Sequence, residues 1–160
     1  MKSVIVYYSR FGHTERLAGA MAERLATVGI ARAVAVEQFA AADVLGADLV
    51  VMGSPTHRMR LPPEMQPVFQ SLHRGALRGA AVAAFDTSYR MSAFLAHFTA
   101  AKTLGRKLRR LGGKQVAQPE TFYMVAREGP LEVGEIERAQ AWAVGLLTKM
   151  GTPMAADKYG

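Results

Sequence analysis

Val4-Ile5-Val6-Tyr7-Tyr8-Ser9-Arg10-Phe11-Gly12-His13-Thr14 decides how the rest of the chain is read. Residues 4–8 form a short continuous run of β-branched and aromatic side chains, the pattern of a strand buried on both faces. Beyond the turn, Leu17, Met21, Leu25 and Val28 recur at helical spacing until Gly29 stops them. A strand that turns directly into a helix aims unpaired amides and the positive dipole end at whatever lies over the turn, which favours an anion. Gly12 lets the backbone come close, and Ser9 and Thr14 add hydroxyl donors. The segment reads as a phosphate site; a helix capped by Thr14 with no ligand is the plainer alternative.

Working outward, strand patterns fall at 31–36, at 48–52 and at 80–85, the last running into the polar turn Asp86-Thr87-Ser88. Gly53 closes the third run and opens a loop holding Pro55, Pro62 and Pro63, after which Met65, Val68, Phe69 and Leu72 mark a short helix. Phe94, Phe98, Ala101, Leu104, Leu108 and Leu111 lie on one stripe of a longer helix. A fifth strand at 115–125 is interrupted by Pro119, which suits an edge or a break in pairing. Ile136, Ala139, Ala143, Leu147 and Met150 line the last helix, after a loop containing Gly129, Pro130 and Gly134. Five strands alternating with helices predict an α/β protein: an open parallel sheet with helices on both faces. Ligands of such sheets bind beyond the carboxyl ends of the strands, here the loops 9–14, 53–62 and 86–92.

A chain of 160 residues, 50% hydrophobic, can fill one core, so residues 1–150 are expected to form one domain, with 151–160 as a tail. No apolar run approaches the roughly 20 residues of a membrane span, and the start shows no signal-peptide core, so the expected location is the cytoplasm. The absence of cysteine removes disulfides, thiolate metal sites and thiol nucleophiles, and redox work would need a bound cofactor. His13, His57, His73 and His97 fall on separate segments and Gly-x-Ser-x-Gly is missing, which argues against metal and hydrolase sites. Neither the spacing of a nucleotide P-loop nor the Gly-x-Gly-x-x-Gly of a dinucleotide fold follows the first strand. The acidic cluster of a response regulator is missing there too.

Two loops carry a family resemblance. Ser9-Arg10-Phe11-Gly12-His13-Thr14 resembles the flavodoxin phosphate loop, usually Thr/Ser-x-Thr/x-Gly-Asn/His-Thr. Gly53-Ser54-Pro55-Thr56 is similar to the Gly-Ser/Thr-Pro-Thr segment beside the flavin ring in flavodoxins and their quinone-reductase relatives. Phe85-Asp86-Thr87 and Glu137-Arg138-Ala139 extend the likeness more weakly over nearly the whole chain. The resemblance implies a five-stranded sheet in the order 2-1-3-4-5 and riboflavin 5′-phosphate (FMN) as cofactor. It implies phosphate contact from Ser9, Gly12, His13 and Thr14, with backbone amides from Arg10 and Phe11. Pro55, Thr56, His57 and Arg58 would border the ring; Thr87, Ser88 and Tyr89 would form the opposite wall, with Tyr89 stacking.

The activity implied is electron transfer, or that of a small FMN-dependent oxidoreductase with a quinone-type acceptor, served by a redox partner protein or an NAD(P)H donor. The competing reading is a non-catalytic flavodoxin-fold module with weak or lost FMN binding, acting through a basic surface on a protein or nucleic-acid partner.

Three departures from the family pattern shape these expectations. No aromatic residue follows Pro55-Thr56, where the loop continues His57-Arg58-Met59-Arg60-Leu61, so one ring face would be less enclosed. No glycine occurs between Ser54 and His73, where the family commonly has one against the ring. The chain also carries a net charge of +7, whereas electron-carrier flavodoxins are typically acidic. Arg58, Arg60 and Arg90 would ring the pocket, and a charge at about 4 Å is worth a few kcal/mol at an effective dielectric near 20, which predicts easier full reduction. The remaining basic cluster, Lys102, Arg106, Lys107, Arg109, Arg110 and Lys114, sits mainly off the apolar stripe of its helix. It reads as a solvated face or a dock for an acidic redox partner; without interleaved aromatic residues, nucleic acid is the weaker reading.

Overall fold

The computed structural model describes residues 1–56, 60–90 and 99–152. Its strands are β1 (Lys2–Tyr7), β2 (Ile30–Ala35), β3 (Leu49–Pro55), β4 (Ala81–Tyr89), β5 (Lys114–Gln115) and β6 (Glu120–Met124). All pair in parallel, in the order β2-β1-β3-β4-β5, with β6 also on β4. The helices are α1 (His13–Leu25), α2 (Gln66–Ser71), α3 (Ala100–Arg110) and α4 (Glu135–Lys149). The expected α/β architecture and strand order are both present.

The period-2 alternation of the strands sorts the core into two layers. Ile5, Tyr7, Val51 and Phe85 face one side, where α1 and α4 contribute Leu17, Met21, Ala143 and Leu147. Val4, Val6, Val50 and Met52 face the other, where Met65, Val68, Leu104 and Leu108 cover them. Each such side chain, fully buried, is worth about 1.5–3 kcal/mol, which is why residues 4–8 read as apolar at every position. The predicted stripe Ala101, Leu104 and Leu108 is buried as expected, with Leu111 just past the end of α3. Phe94 and Phe98 lie outside the described residues.

Two predicted strands differ in detail. β4 extends through Asp86, Thr87 and Ser88, which pair in register with Ser54, Pro55 and the residues of β6 instead of forming a turn. Where one fifth strand was expected, two pieces occur: Gln115 pairs with Val82, and Glu120 with Phe85. The chain takes five steps there against three on β4, and the added slack accommodates Pro119, which has no N–H to give the ladder.

Phe85 anchors the functional end of the sheet. Its ring packs edge-on against Phe122 at 5.8 Å and Trp142 at 6.1 Å. It also leans over Gly53, its register partner on β3, so closely that a Cβ there would fall on the ring.

Candidate functional site

The carboxyl ends of β1, β3 and β4 are laced together. Tyr8 donates its amide to the Gly53 carbonyl at 3.0 Å, and Thr56 donates its own to the Thr87 carbonyl at 3.0 Å. Between them, Gly12 takes a left-handed conformation (φ 89°) and starts α1, with open space beside it. Ser9 Oγ accepts the amides of Gly12 (3.1 Å) and Glu15 (3.2 Å). With both lone pairs engaged, its own proton is left to donate. Thr14 is buried, its hydroxyl oxygen 3.1 Å from that of Thr87, so it ties the first turn of α1 to β4 instead of capping the helix. Whichever hydroxyl donates in that pair, the other keeps a proton for a further acceptor.

A phosphate needs N–H and O–H donors and no facing carboxylate. The loop 9–14 contains no acid, and the first one after it, Glu15, is held by the Tyr7 hydroxyl at 3.2 Å. Burial, followed by the Glu15 charge, raises the pKa of that tyrosine. The donor set therefore fits a phosphate-bearing cofactor.

The His13 ring lies against the loop after β6. Its Nε2 lies 2.8 Å from the Glu128 carbonyl, which can only accept, so Nε2 carries the proton. Nδ1 is buried without a partner among the described residues. A Cβ on Gly129 would fall on the same ring, and Gly129 sits at φ 99°. The imidazole thus straps the loop after β6 to the start of α1, and the backbone amide is the part of His13 directed by the helix.

On the ring side, Thr56 also turns inward. Its hydroxyl donates to Asp86 Oδ2 at 2.7 Å and accepts the Ala100 amide at 3.0 Å, while Asp86 Oδ2 accepts the Ala101 amide at 3.1 Å. Asp86 is fully buried, and Oδ1 has no hydrogen-bond partner among the described residues. Burial pushes its carboxyl above the usual range, against the pull of the Thr121 and Thr56 hydroxyls and the Ala101 amide. Pro55 is half-buried at the end of β3, and His57 and Arg58 lie outside the described residues. Thr87 and Ser88 are buried in β4, with Ser88 Oγ donating to the Tyr89 carbonyl at 3.0 Å. Tyr89, 48% exposed, presents the one large aromatic surface at the end of that strand.

Of the three arginines expected to ring the pocket, Arg90 is paired with an acid. Its guanidinium makes a two-point contact with Glu132, at 3.0 Å from each oxygen, and lies 4.2 Å from the centre of the Tyr123 ring. Arg60 is exposed. An open cleft of about 310 Å³ lies beside these groups, lined by Tyr89, Arg90, Met124, Val125, Arg127 and Glu132. Sequence reasoning missed Asp86, Glu128 and Glu132 as site components. Only Asp86 offered a signal: a lone acid directly after six apolar residues.

Fold and loops together define a doubly wound α/β protein whose first turn offers donors suited to an anion, at the strand ends where ligands of such sheets bind. The flavodoxin family model matches residues 5–142, and the chain belongs to the flavodoxin family, whose proteins bind FMN and transfer electrons. Its fold is similar to that of flavodoxin 1 from Bacillus cereus (TM-score 0.76, 18% identity, covering 92% of this chain and 98% of that one). Flavodoxin 2 from the same organism gives a TM-score of 0.76 at 22% identity, over 93% and 99% of the two chains. Rubredoxin oxygen:oxidoreductase from Desulfovibrio gigas matches 93% of this chain with 37% of its own (TM-score 0.70, 22% identity). No curated protein matches the chain.

Proposed function

We propose that the chain is an FMN-dependent electron-transfer protein that holds the cofactor phosphate at residues 9–14. Ser9 and Thr14 would donate through their hydroxyls, and Arg10, Phe11, Gly12 and His13 through backbone amides. Pro55, Thr56, His57 and Arg58 would border the flavin ring on one side, with Thr87, Ser88 and Tyr89 on the other. The observation that carries this reading is the left-handed Gly12 at the head of α1, above a Ser9 hydroxyl with a proton to spare and no acid in the loop. FMN, when bound, supplies one- and two-electron chemistry; the protein's part is to fix the phosphate, shape the ring walls and exclude water.

Asp86 and Thr56 set the spacing of those walls by fixing the start of α3 against the end of β3. A directly reducing NAD(P)H donor, with a quinone-type acceptor, is the second reading, favoured by the open cleft beside Tyr89. Among the described residues no helix is long and apolar enough to cross a membrane, which supports placing the protein in the cytoplasm.

Titrating the FMN-free chain with FMN and with riboflavin, read by quenching of flavin fluorescence, tests the assignment. Two charge-assisted hydrogen bonds at about 1.5–3 kcal/mol each should separate the two flavins by at least about a hundredfold. Equal affinity would remove the phosphate from the loop. Adding NADH or NADPH anaerobically to the FMN-loaded chain then separates reductase from carrier, since direct bleaching of the flavin requires the former.

A further inference from the structure

The surplus of positive charge is not spread over the molecule. Residues 65–119 contain nine of the chain's 20 Lys and Arg but only one of its 13 Asp and Glu, and that one, Asp86, is fully buried. The rest of the chain is nearly neutral. At the cofactor end, Glu15, Glu64 and Glu132 stand among the arginines; Glu64 lies against Tyr8, and Glu132 pairs with Arg90.

The structure gathers most of these cations on one face. Helix α3 buries Ala101, Leu104 and Leu108 and turns Lys102, Arg106, Arg109 and Arg110 outward along the opposite stripe. Arg109 donates to Gln115, Arg106 donates to Thr103 at 3.4 Å, and Lys107 lies 5.0 Å over the Phe69 ring. None of Arg106, Arg109 or Arg110 forms a salt bridge among the described residues. The turn carrying Arg74 and Arg78 joins this face, since Leu77 donates its amide to the Leu111 carbonyl at 3.0 Å and Arg78 packs on Gly112. With no salt bridge to Arg106, Arg109 or Arg110 among the described residues, the field of these guanidinium groups is screened chiefly by salt.

We propose that this α3 face is the docking surface for an acidic redox-partner protein. The proposal rests on the electron-transfer reading above and adds the partner's charge and its place of contact. Charge complementarity selects an acidic occupant. Its position selects a redox partner: the amides of Ala100 and Ala101 bond to Thr56 and Asp86, so the basic stripe begins at the rim of the cofactor site and runs away along the helix. A protein covering the length of the stripe reaches the flavin end of the sheet at the first turn of α3, while Arg109, Arg110, Arg74 and Arg78 hold it nearer the amino ends of the strands.

The surface does not suit nucleic acid. Among the described residues, none of the exposed large apolar side chains, Phe11, Ile30, Leu45, Tyr89, Val125 and Val133, lies on it to stack a base. The helix is set into the layer against the sheet, so it does not protrude as a groove-reading helix must.

The test uses cytochrome b5, an acidic one-electron haem protein, against the FMN-loaded chain reduced with dithionite, with basic cytochrome c as the opposite-charge control. Each turnover passes one electron from the reduced flavin to the ferric haem, followed by stopped flow. The double variant Arg106→Glu/Arg110→Glu should lower the second-order rate with cytochrome b5 about tenfold or more at low salt, and the loss should fade as salt rises. Arg24→Glu, on the exposed end of α1, should change it by less than about threefold. Unchanged FMN affinity in the variants shows that they fold.

Binding of cytochrome b5 to the FMN-free chain, read by anisotropy, should weaken in parallel in the double variant. Equal losses in Arg24→Glu, or no loss in the double variant, would overturn the proposal. So would a labelled oligonucleotide whose binding is lost in the double variant while the cytochrome b5 rate stays the same. Failure to bind FMN with the cytochrome contact intact would instead defeat the electron-transfer reading and leave the docking face standing.

Discussion

Thr56 Oγ1 donates a 2.7 Å hydrogen bond to Asp86 Oδ2, and through that oxygen the end of β3 is tied to the start of α3. The Ala101 amide and the threonine satisfy one carboxyl oxygen and leave Oδ1 without a partner among the described residues. Burial therefore wins over hydrogen bonding, and the pKa is raised.

The raised value has a definite consequence for stability. Between the unfolded pKa, about 3.9, and the higher folded one, the native state binds more protons than the unfolded chain, so stability falls as pH rises through that window. Asp86→Asn keeps an acceptor for Thr56 and Ala101 and cannot titrate. In urea denaturation from about pH 3 upward, the wild type is expected to lose stability relative to Asp86→Asn as pH climbs. A difference independent of pH would show that Asp86 titrates normally in the fold.

Glu135 has the opposite slope. Arg138 donates to both of its oxygens, at 2.8 and 2.7 Å, and to Glu120 at 2.7 Å, while its guanidinium lies 4.4 Å from the centre of the Phe122 ring. The Tyr123 amide adds a 2.7 Å bond to Glu135, so the pair fastens α4 to β6. Hydrogen bonding from Arg138 holds the Glu135 carboxyl below its usual range. Its contribution is thus present above the unfolded pKa and lost as pH falls through the folded one. Because the Arg138 side chain is 37% exposed, solvent screens the pair, and Glu135→Gln is expected to cost only about 1 kcal/mol near neutral pH. That cost should vanish in acid; a cost that persists at pH 3 would mean packing, not charge, is responsible.

Gly53 and Phe85 make a packing claim that needs no titration. A methyl at Gly53 would fall on the Phe85 ring, and Phe122 and Trp142 stand against that ring edge-on. Gly53→Ala is expected to destabilise by about 1–3 kcal/mol through overpacking. Phe85→Leu vacates the contested space, so the double variant should be more stable than the sum of the single losses allows. Strict additivity in chemical denaturation would mean that the ring is not the obstacle.

What the sequence disclosed and what it hid divide by range. The switch from strand to helix between Tyr8 and Leu17 is local in period, so the fold could be read from it, and the anion site proposed at 9–14 rests on the same local pattern. Pro119 likewise announced a break in the fifth strand, because a missing N–H is a property of one residue. Asp86, Thr87 and Ser88 read as a turn because polar residues rarely sit inside a buried strand. They belong to β4 only because Ser54, Thr56, Thr14 and Tyr123, far away in sequence, pair with them or satisfy them. The neutralisation of Arg90 by Glu132, 42 residues on, is equally invisible to local pattern.

His13 is the sharpest case, since its ring bonds a carbonyl 115 residues away. If the imidazole straps the loop after β6 and only the backbone serves the phosphate, removing the ring and removing the Ser9 hydroxyl should have separable effects. His13→Ala deletes one hydrogen bond, worth about 1 kcal/mol net, and is expected to raise amide exchange several-fold at residues 127–131. Ser9→Ala takes away the acceptor of the Gly12 and Glu15 amides and one donor to the phosphate, so it should weaken FMN binding about tenfold or more without loosening that loop. Hydrogen exchange and FMN titration of the two variants give the comparison. A larger loss of FMN affinity in His13→Ala than in Ser9→Ala would mean that the ring leaves Glu128 to meet the phosphate.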